Sequence, residues 1–130
     1  MRSISDNLTA AAEALEYAKD QAKFAIETTS HITDVEQFLQ STIGMVHYNS
    51  ACMCIQTIGE SFRKADELTK GKLRASHQEV PWREIIAMRN YISHEYSNTD
   101  PETIFQTIKT DLPELIPIID ILIQELRTSI

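Results

Sequence analysis

Apolar residues recur at helical spacing along most of the chain. Leu8, Ala11, Leu15, Ala18, Ala22 and Ala25 fall three or four apart and predict a helix over residues 7 to 27, capped by Asp6. That seam is mostly alanine, so a partner helix can approach closely. The "TTSHIT" stretch breaks the pattern, and Asp34 then caps a short segment through Leu39 anchored by Phe38. A long helix is predicted over residues 42 to 69, with Ala51, Ile55, Ile58, Phe62 and Ala65 along one face. Gly59 lies in its middle, at a cost of about 1 kcal/mol against alanine. A close helix contact would justify it. Gly71 ends this helix, and "KLRASHQEV" reads as a polar connection.

Pro81 suits the first turn of the next helix, which covers "PWREIIAMRNYISHEYSN", residues 81 to 98. Trp82, Ile85, Ile92 and Tyr96 share its apolar stripe. Asp100-Pro101-Glu102 starts a short helix with Ile104, Phe105 and Ile108 inside. Asp111 and Glu114 have capping-box spacing for a new helix, modified by Pro113. The segment "LPELIPIIDILIQEL" is apolar on almost every side, which predicts a helix that is central or shared with a second subunit. The expected fold is all-α: an antiparallel bundle of four main helices with one or two short extra ones, over a single domain, residues 1 to 130.

Composition agrees. Three glycines, and prolines confined beyond residue 80, leave helix formers dominant, and 42% apolar residues suffice for a core. The N-terminal stretch predicts no leader peptide, and "LIPIIDILI" is about half of what a bilayer needs. No membrane association is expected. Cys52 and Cys54 stand two apart, on nearly opposite sides of a helix, so they do not readily bridge. A reducing cytoplasm follows as the expected compartment. The net charge of −7 argues against a general nucleic-acid binder. The charge is uneven, however. Residues 63 to 89 carry seven Lys/Arg against four acids, an excess of +3, so the remainder sums to −10. That window is either a solvated helix end or a basic approach to an anionic ligand.

The window leads into the helix that carries the candidate chemistry. Arg89 sits inside the apolar stripe, and Asn90, His94, Glu95 and Tyr96 crowd the last two turns. On a straight helix Arg89 and Tyr96 share a face two turns apart, and Asn90 reaches His94 at i, i+4. Arg89 and His94 are rotated by roughly 140°. Either both wrap one groove, or two copies of the helix meet across a two-fold axis. Such a set suits metal-free phosphodiester cleavage. Histidine moves a proton near neutral pH, and arginine forks a phosphate and stabilises developing charge. On RNA the substrate's own 2′-hydroxyl is the nucleophile. Asn90 can hold the imidazole in one tautomer. The structural alternative pairs Arg89 with a buried carboxylate such as Glu60, satisfies His94 at a helix end and packs Tyr96. The histidines His31, His47, His77 and His94 are scattered and no Glu-x-x-His occurs, so no metal site and no cofactor are expected. His31, His47 and His77 are expected at the surface.

The string "RNYISHEY" has the form Arg-x4-His-x-Tyr with Asn after the Arg, and it resembles the signature of HepT-type proteins of the HEPN superfamily. "IQTIGESFRKADEL", "VPWREIIAMRN" and "TIFQTIKTDLPEL" resemble flanking family segments, so the likeness spans about residues 55 to 116. Ser61 follows Gly-Glu where a small residue such as alanine is expected, a minor difference. The resemblance implies a homodimeric helical toxin of a type VII toxin–antitoxin pair, acting as a metal-independent ribonuclease on RNA. It implies Arg89 and His94 as the catalytic pair, with Asn90 in support. It implies Tyr96 as the acceptor of AMP from a partner minimal nucleotidyltransferase (MNT) antitoxin. A non-catalytic helical module, binding a nucleotide or assembling with a nucleotidyltransferase, is the competing reading.

Overall fold

The first helix starts earlier than Asp6 suggests. In the computed structural model the Ser3 hydroxyl accepts from the Asp6 N–H at 3.0 Å and caps α1, Ile4–Thr28. Asp6 therefore sits in the first turn, where its charge favours the helix N-terminus. The structure describes residues 3–129; Met1, Arg2 and Ile130, which the expected domain over 1–130 includes, lie outside the described residues. Asp34 accepts from the Gln37 N–H at 3.2 Å and leads into α2, Glu36–Leu39, which buries Phe38 completely. Ser41 caps α3, Thr42–Leu68, through the Gly44 N–H at 3.0 Å. The chain then turns through Lys70 and Gly71, both at positive φ.

Where a polar connection is expected, "KLRAS" forms a further short helix, α4, Lys72–Ser76. Leu73 supplies the reason: it is buried at 5% exposure and ties the segment to the core. Next comes α5, Trp82–Glu95, with Pro81 one residue before its first turn. A 3₁₀ turn, Tyr96–Asn98, follows. Then α6, Pro101–Gln106, begins at the Asp100 cap.

Asp111 does not restart the chain. It has helical angles and makes no cap bond. A π turn, Thr107–Asp111, joins α6 directly to α7, Leu112–Thr128. Pro113 has no N–H for an α-helical bond, and a widened turn just before it accommodates the ring without breaking the run. Four of these helices are long, and no strand occurs among the described residues, so the protein is an all-α bundle.

The central helix is α3, not the last one. α1 packs on it and on α7, and α5 packs chiefly on α3. The alanine seam of α1 permits the closeness: Ala11, Ala18, Ala22 and Ala25 have no exposed surface. Lys19 pairs with Asp120 at 2.7 Å and Arg127 with Glu16 at 3.5 Å, so α7 runs antiparallel to α1. In α7, Leu115, Ile119, Leu122 and Leu126 face in while Ile121 stays 59% exposed, so the helix is peripheral. Both cysteines are free and buried, and burial pushes the Cys52 thiol up to about 11. They act as packing residues, as the sequence predicts. Among the described residues no helix is long and apolar enough to cross a membrane.

Candidate functional site

The site is built on the seam between α3 and α5. Three contacts fix their antiparallel register. Phe62 meets the Trp82 ring edge-on at 5.3 Å, Gly59 faces Ile85 and Arg89, and Asn49 reaches Tyr96. Trp82 and Ile92 are the buried anchors of α5, and the Trp82 indole N–H donates to the His77 carbonyl at 3.0 Å. Gly59 has the close contact its position calls for. A Cβ there would lie 2.3 Å from the Arg89 Cβ and 3.0 Å from the Ile85 carbonyl oxygen.

That closeness places Arg89 at the edge of the seam, with its side chain 23% exposed. Its Nε–H donates to Glu60 Oε2 at 2.7 Å, and Nη1 donates to the Asn90 side-chain amide oxygen Oδ1 at 2.9 Å. Glu60 is the carboxylate that the sequence offers as a structural partner, but it is 51% exposed rather than buried. Asn90 is thus bonded to Arg89, where the i, i+4 spacing pointed to His94. His94 lies on the exposed surface of the last turn, where as a cation it would complement the helix C-terminus.

Tyr96 does not continue the straight helix. Glu95 breaks it at φ −125°, ψ 22°, and Tyr96 opens the 3₁₀ turn. The phenol swings onto α3, where its hydroxyl donates to the Asn49 side-chain oxygen. Tyr96 is 45% exposed, and partial burial, then the neighbouring Cys52, raises its hydroxyl above the ordinary tyrosine value. The turn is fastened from both sides. The Tyr48 and Thr99 hydroxyls meet at 2.7 Å, Thr99 donates to the Tyr96 carbonyl at 3.0 Å, and the Asp100 N–H donates to the Tyr91 hydroxyl at 2.7 Å. Tyr48, with its hydroxyl pushed up to about 12 by burial, acts here as a strut.

The arrangement therefore joins Arg89, Asn90 and Glu60 directly. It places His94 on the same helix, and Tyr96 on the same α3–α5 seam. One feature escapes a reading of spacing alone, and it is His77. Expected at the surface, it ends α4 with its side chain only 16% exposed, held by Glu125 on one ring nitrogen and by Glu79 at 3.0 Å on the other. Those carboxylates, Glu125 foremost, raise its pKa. Among the described residues no group of three or more His, Cys, Asp or Glu is gathered to hold a metal ion.

Comparison with known proteins matches the sequence to one family. The family model described as "Ribonuclease HepT-like" matches residues 10–122. A provisionally named RNase from Caldanaerobacter subterraneus subsp. tengcongensis is 30% identical over 101 residues, 78% of this chain and 83% of that protein. Another, from Methanocaldococcus jannaschii, is 23% identical over 103 residues, covering 75% and 85% of the two chains. A protein provisionally named ribonuclease HepT, from Thermococcus cleftensis, is 33% identical over 61 residues, 47% of this chain and 52% of its own. No solved structure matches the chain.

Proposed function

This chain belongs to the HepT-like ribonuclease family, and on that premise we propose that it is an RNA endonuclease, the toxin of a type VII toxin–antitoxin pair acting in the cytoplasm. Arg89 binds the scissile phosphate and stabilises its developing charge. His94 moves the protons: the 2′-oxygen forms a bond to phosphorus, the bond to the 5′-oxygen breaks, and the leaving oxygen gains a proton. No divalent ion takes part. The observation that carries this reading is the state of Arg89. A guanidinium has five N–H groups; Glu60 and Asn90 accept one each. Both N–H groups of Nη2 are left for a phosphate, on a side chain whose root is locked against Gly59.

The offset of His94 around α5 favours a two-fold homodimer in which each copy completes the other's site. The exposed stripe of α3 supports such an arrangement. Ile43, Val46 and Met53 are 61%, 53% and 61% exposed. They follow one heptad-like line past Asn49, which holds Tyr96, to Glu60, which holds Arg89. Tyr96 is the acceptor for the antitoxin, a minimal nucleotidyltransferase. Its oxygen attacks the α-phosphorus of ATP, pyrophosphate leaves, and the bound AMP sets a negative phosphate beside the RNA site.

Purified protein should cleave RNA in EDTA, and Arg89→Ala and His94→Ala should each abolish cleavage while retaining the wild-type circular dichroism spectrum. Inhibition by EDTA, or full activity of His94→Ala, would overturn the mechanism. The second reading, a non-catalytic nucleotide-binding or assembly subunit of a nucleotidyltransferase complex, draws on the Glu60 pairing, which gives Arg89 a structural partner. It requires that the wild type cleave no RNA at all.

A further inference from the structure

Glu60 poses a physical problem. A carboxylate bonded to a phosphate-binding arginine competes with the phosphate for that cation and repels it. The usual justification is stability, but both partners are partly open to water, at 23% and 51% exposure. Exposed pairs of this kind contribute only about 0–1 kcal/mol. The placement is nonetheless tightly determined. Position 60 directly follows the glycine at which α3 lies in close contact with α5, so its side chain starts beside the root of Arg89 and meets Nε at 2.7 Å. Asn90 restrains a second nitrogen of the same plane at 2.9 Å. One tether on Nε and one on Nη1 fix both the position and the rotation of the guanidinium plane. Neither occupies Nη2.

We propose that Glu60 is the positioning residue of the site: by accepting the Nε–H of Arg89 it holds the guanidinium plane so that Nη2 meets the incoming RNA phosphate. The assignment rests on the ribonuclease reading above. It makes the carboxylate useful as a hydrogen-bond acceptor and costly as a charge. Those two effects have opposite signs on catalysis and on binding, so they can be separated. Loss of the acceptor frees the plane to rotate, and loss of alignment by about 1 Å costs on the order of 10²-fold in rate. Loss of the charge alone strengthens phosphate binding.

The test compares Glu60→Gln, whose amide oxygen still accepts the Nε–H, with Glu60→Ala, which removes the acceptor. Both are assayed for kcat and KM on an RNA substrate. The Nε–Hε resonance of Arg89 is followed by NMR in each free protein. The alanine variant should lose at least about 10-fold in kcat, with KM unchanged or lower, and its resonance should broaden into exchange with water. The glutamine variant should keep the protected resonance, stay within about 3-fold of the wild-type kcat, and show a lower KM. Faster cleavage by Glu60→Ala would make the pair an inhibitory lock and overturn the proposal. Equal damage in both variants would assign the effect to charge and overturn it as well. A wild-type resonance exchanging as freely as a solvated arginine would refute the tether whatever the activity. A protected resonance that only Glu60→Ala abolishes, in a protein that cleaves no RNA, would uphold the tether and reject the ribonuclease reading instead.

Discussion

Replacing Gly59 by alanine tests the seam on which the whole site depends. The added Cβ would lie 2.3 Å from the Arg89 Cβ, whereas carbon atoms in contact rest at about 3.5–4.0 Å. The two helices must therefore part by roughly 1.2–1.7 Å at this point. The neighbour is the root of a side chain, and the Ile85 carbonyl oxygen, at 3.0 Å, is backbone. Rotamer changes cannot relieve either contact. Alanine adds about 1 kcal/mol of helix propensity, and overpacking costs about 1–3 kcal/mol. The edge-on contact of Phe62 with Trp82 opens as α5 moves, which adds to the loss. A net destabilisation of about 1–2 kcal/mol follows, or a Tm lower by roughly 3–8 °C. Cleavage should fall further than stability, because Arg89 is displaced by about an ångström. Trp82 is the single tryptophan and is 2% exposed, so its fluorescence in urea reports the seam directly. Gly71→Ala is the control. It sits at φ +77° with nothing within 4 Å, so it should cost about 1–2 kcal/mol through backbone strain while sparing cleavage. A Gly59→Ala protein as stable and as active as the wild type would refute the close α3–α5 packing.

Other consequences concern the surface, the switch and pH. Met53→Glu and Val46→Glu place charge on the exposed stripe of α3; each should shift the protein to monomer by light scattering and abolish cleavage without lowering Tm, and a dimer that persists in both variants would exclude this face. Tyr96→Phe loses the attachment point but leaves Arg89 and His94 in place, so it should remain toxic and resist the nucleotidyltransferase; AMP mapped by peptide mass spectrometry to Tyr17, Tyr48 or Tyr91 would refute the assignment of Tyr96. His77 has its pKa raised in the folded state by Glu125 and Glu79, so folding favours its protonated form. The stability it adds is fully present below the ordinary value of 6.5 and is lost as pH rises through the raised value. Urea midpoints should therefore fall as pH rises above 6.5 in the wild type and change less in His77→Gln; an equal fall in both would remove His77 from the linkage.

Much of the bundle is legible as periodicity, because burial of one face imposes the 3.6-residue repeat directly. Phe38, Ile58, Phe62 and the alanines of α1 are buried where their spacing puts them. What spacing misreads are the choices between nearly equivalent caps and turns. Ser3 displaces Asp6 as the cap because serine and aspartate are comparable caps, and the helix extends to the earlier one, where Ser3 accepts the Asp6 N–H. Asp111 has the spacing of a cap, but α6 already occupies the backbone before it, and a π turn is less disruptive than unwinding both helices. The all-round apolar character of α7 hides its position. Ile121 is exposed and Ile116 and Ile118 are only partly buried, so composition does not separate a central helix from a peripheral one.

The site was partly legible for a different reason. Arg89 stands out only because it interrupts an apolar stripe, and that interruption is explained by packing on one side. α5 rests chiefly on α3, so its stripe is narrow and its flanks stay open. A cation at the margin of such a stripe keeps its stem against the neighbour helix and its head at the surface. Gly59 then draws the stem inward, and Glu60 and Asn90 orient the head. The geometry of Tyr96 was misread because it depends on Glu95 leaving the helix, and no residue type in "SHEYSN" requires that break. The reach of Tyr48 to Thr99 and of Tyr96 to Asn49, across about fifty positions of sequence, pulls the chain into the 3₁₀ turn. Residue identity therefore proposes Tyr96, and long-range hydrogen bonds decide where its hydroxyl stands. The Tyr96 oxygen is held against α3, beside the exposed stripe and away from the straight-helix projection. On the proposed function, a transferase would have to reach it there and draw its proton away from Asn49 as the oxygen attacks.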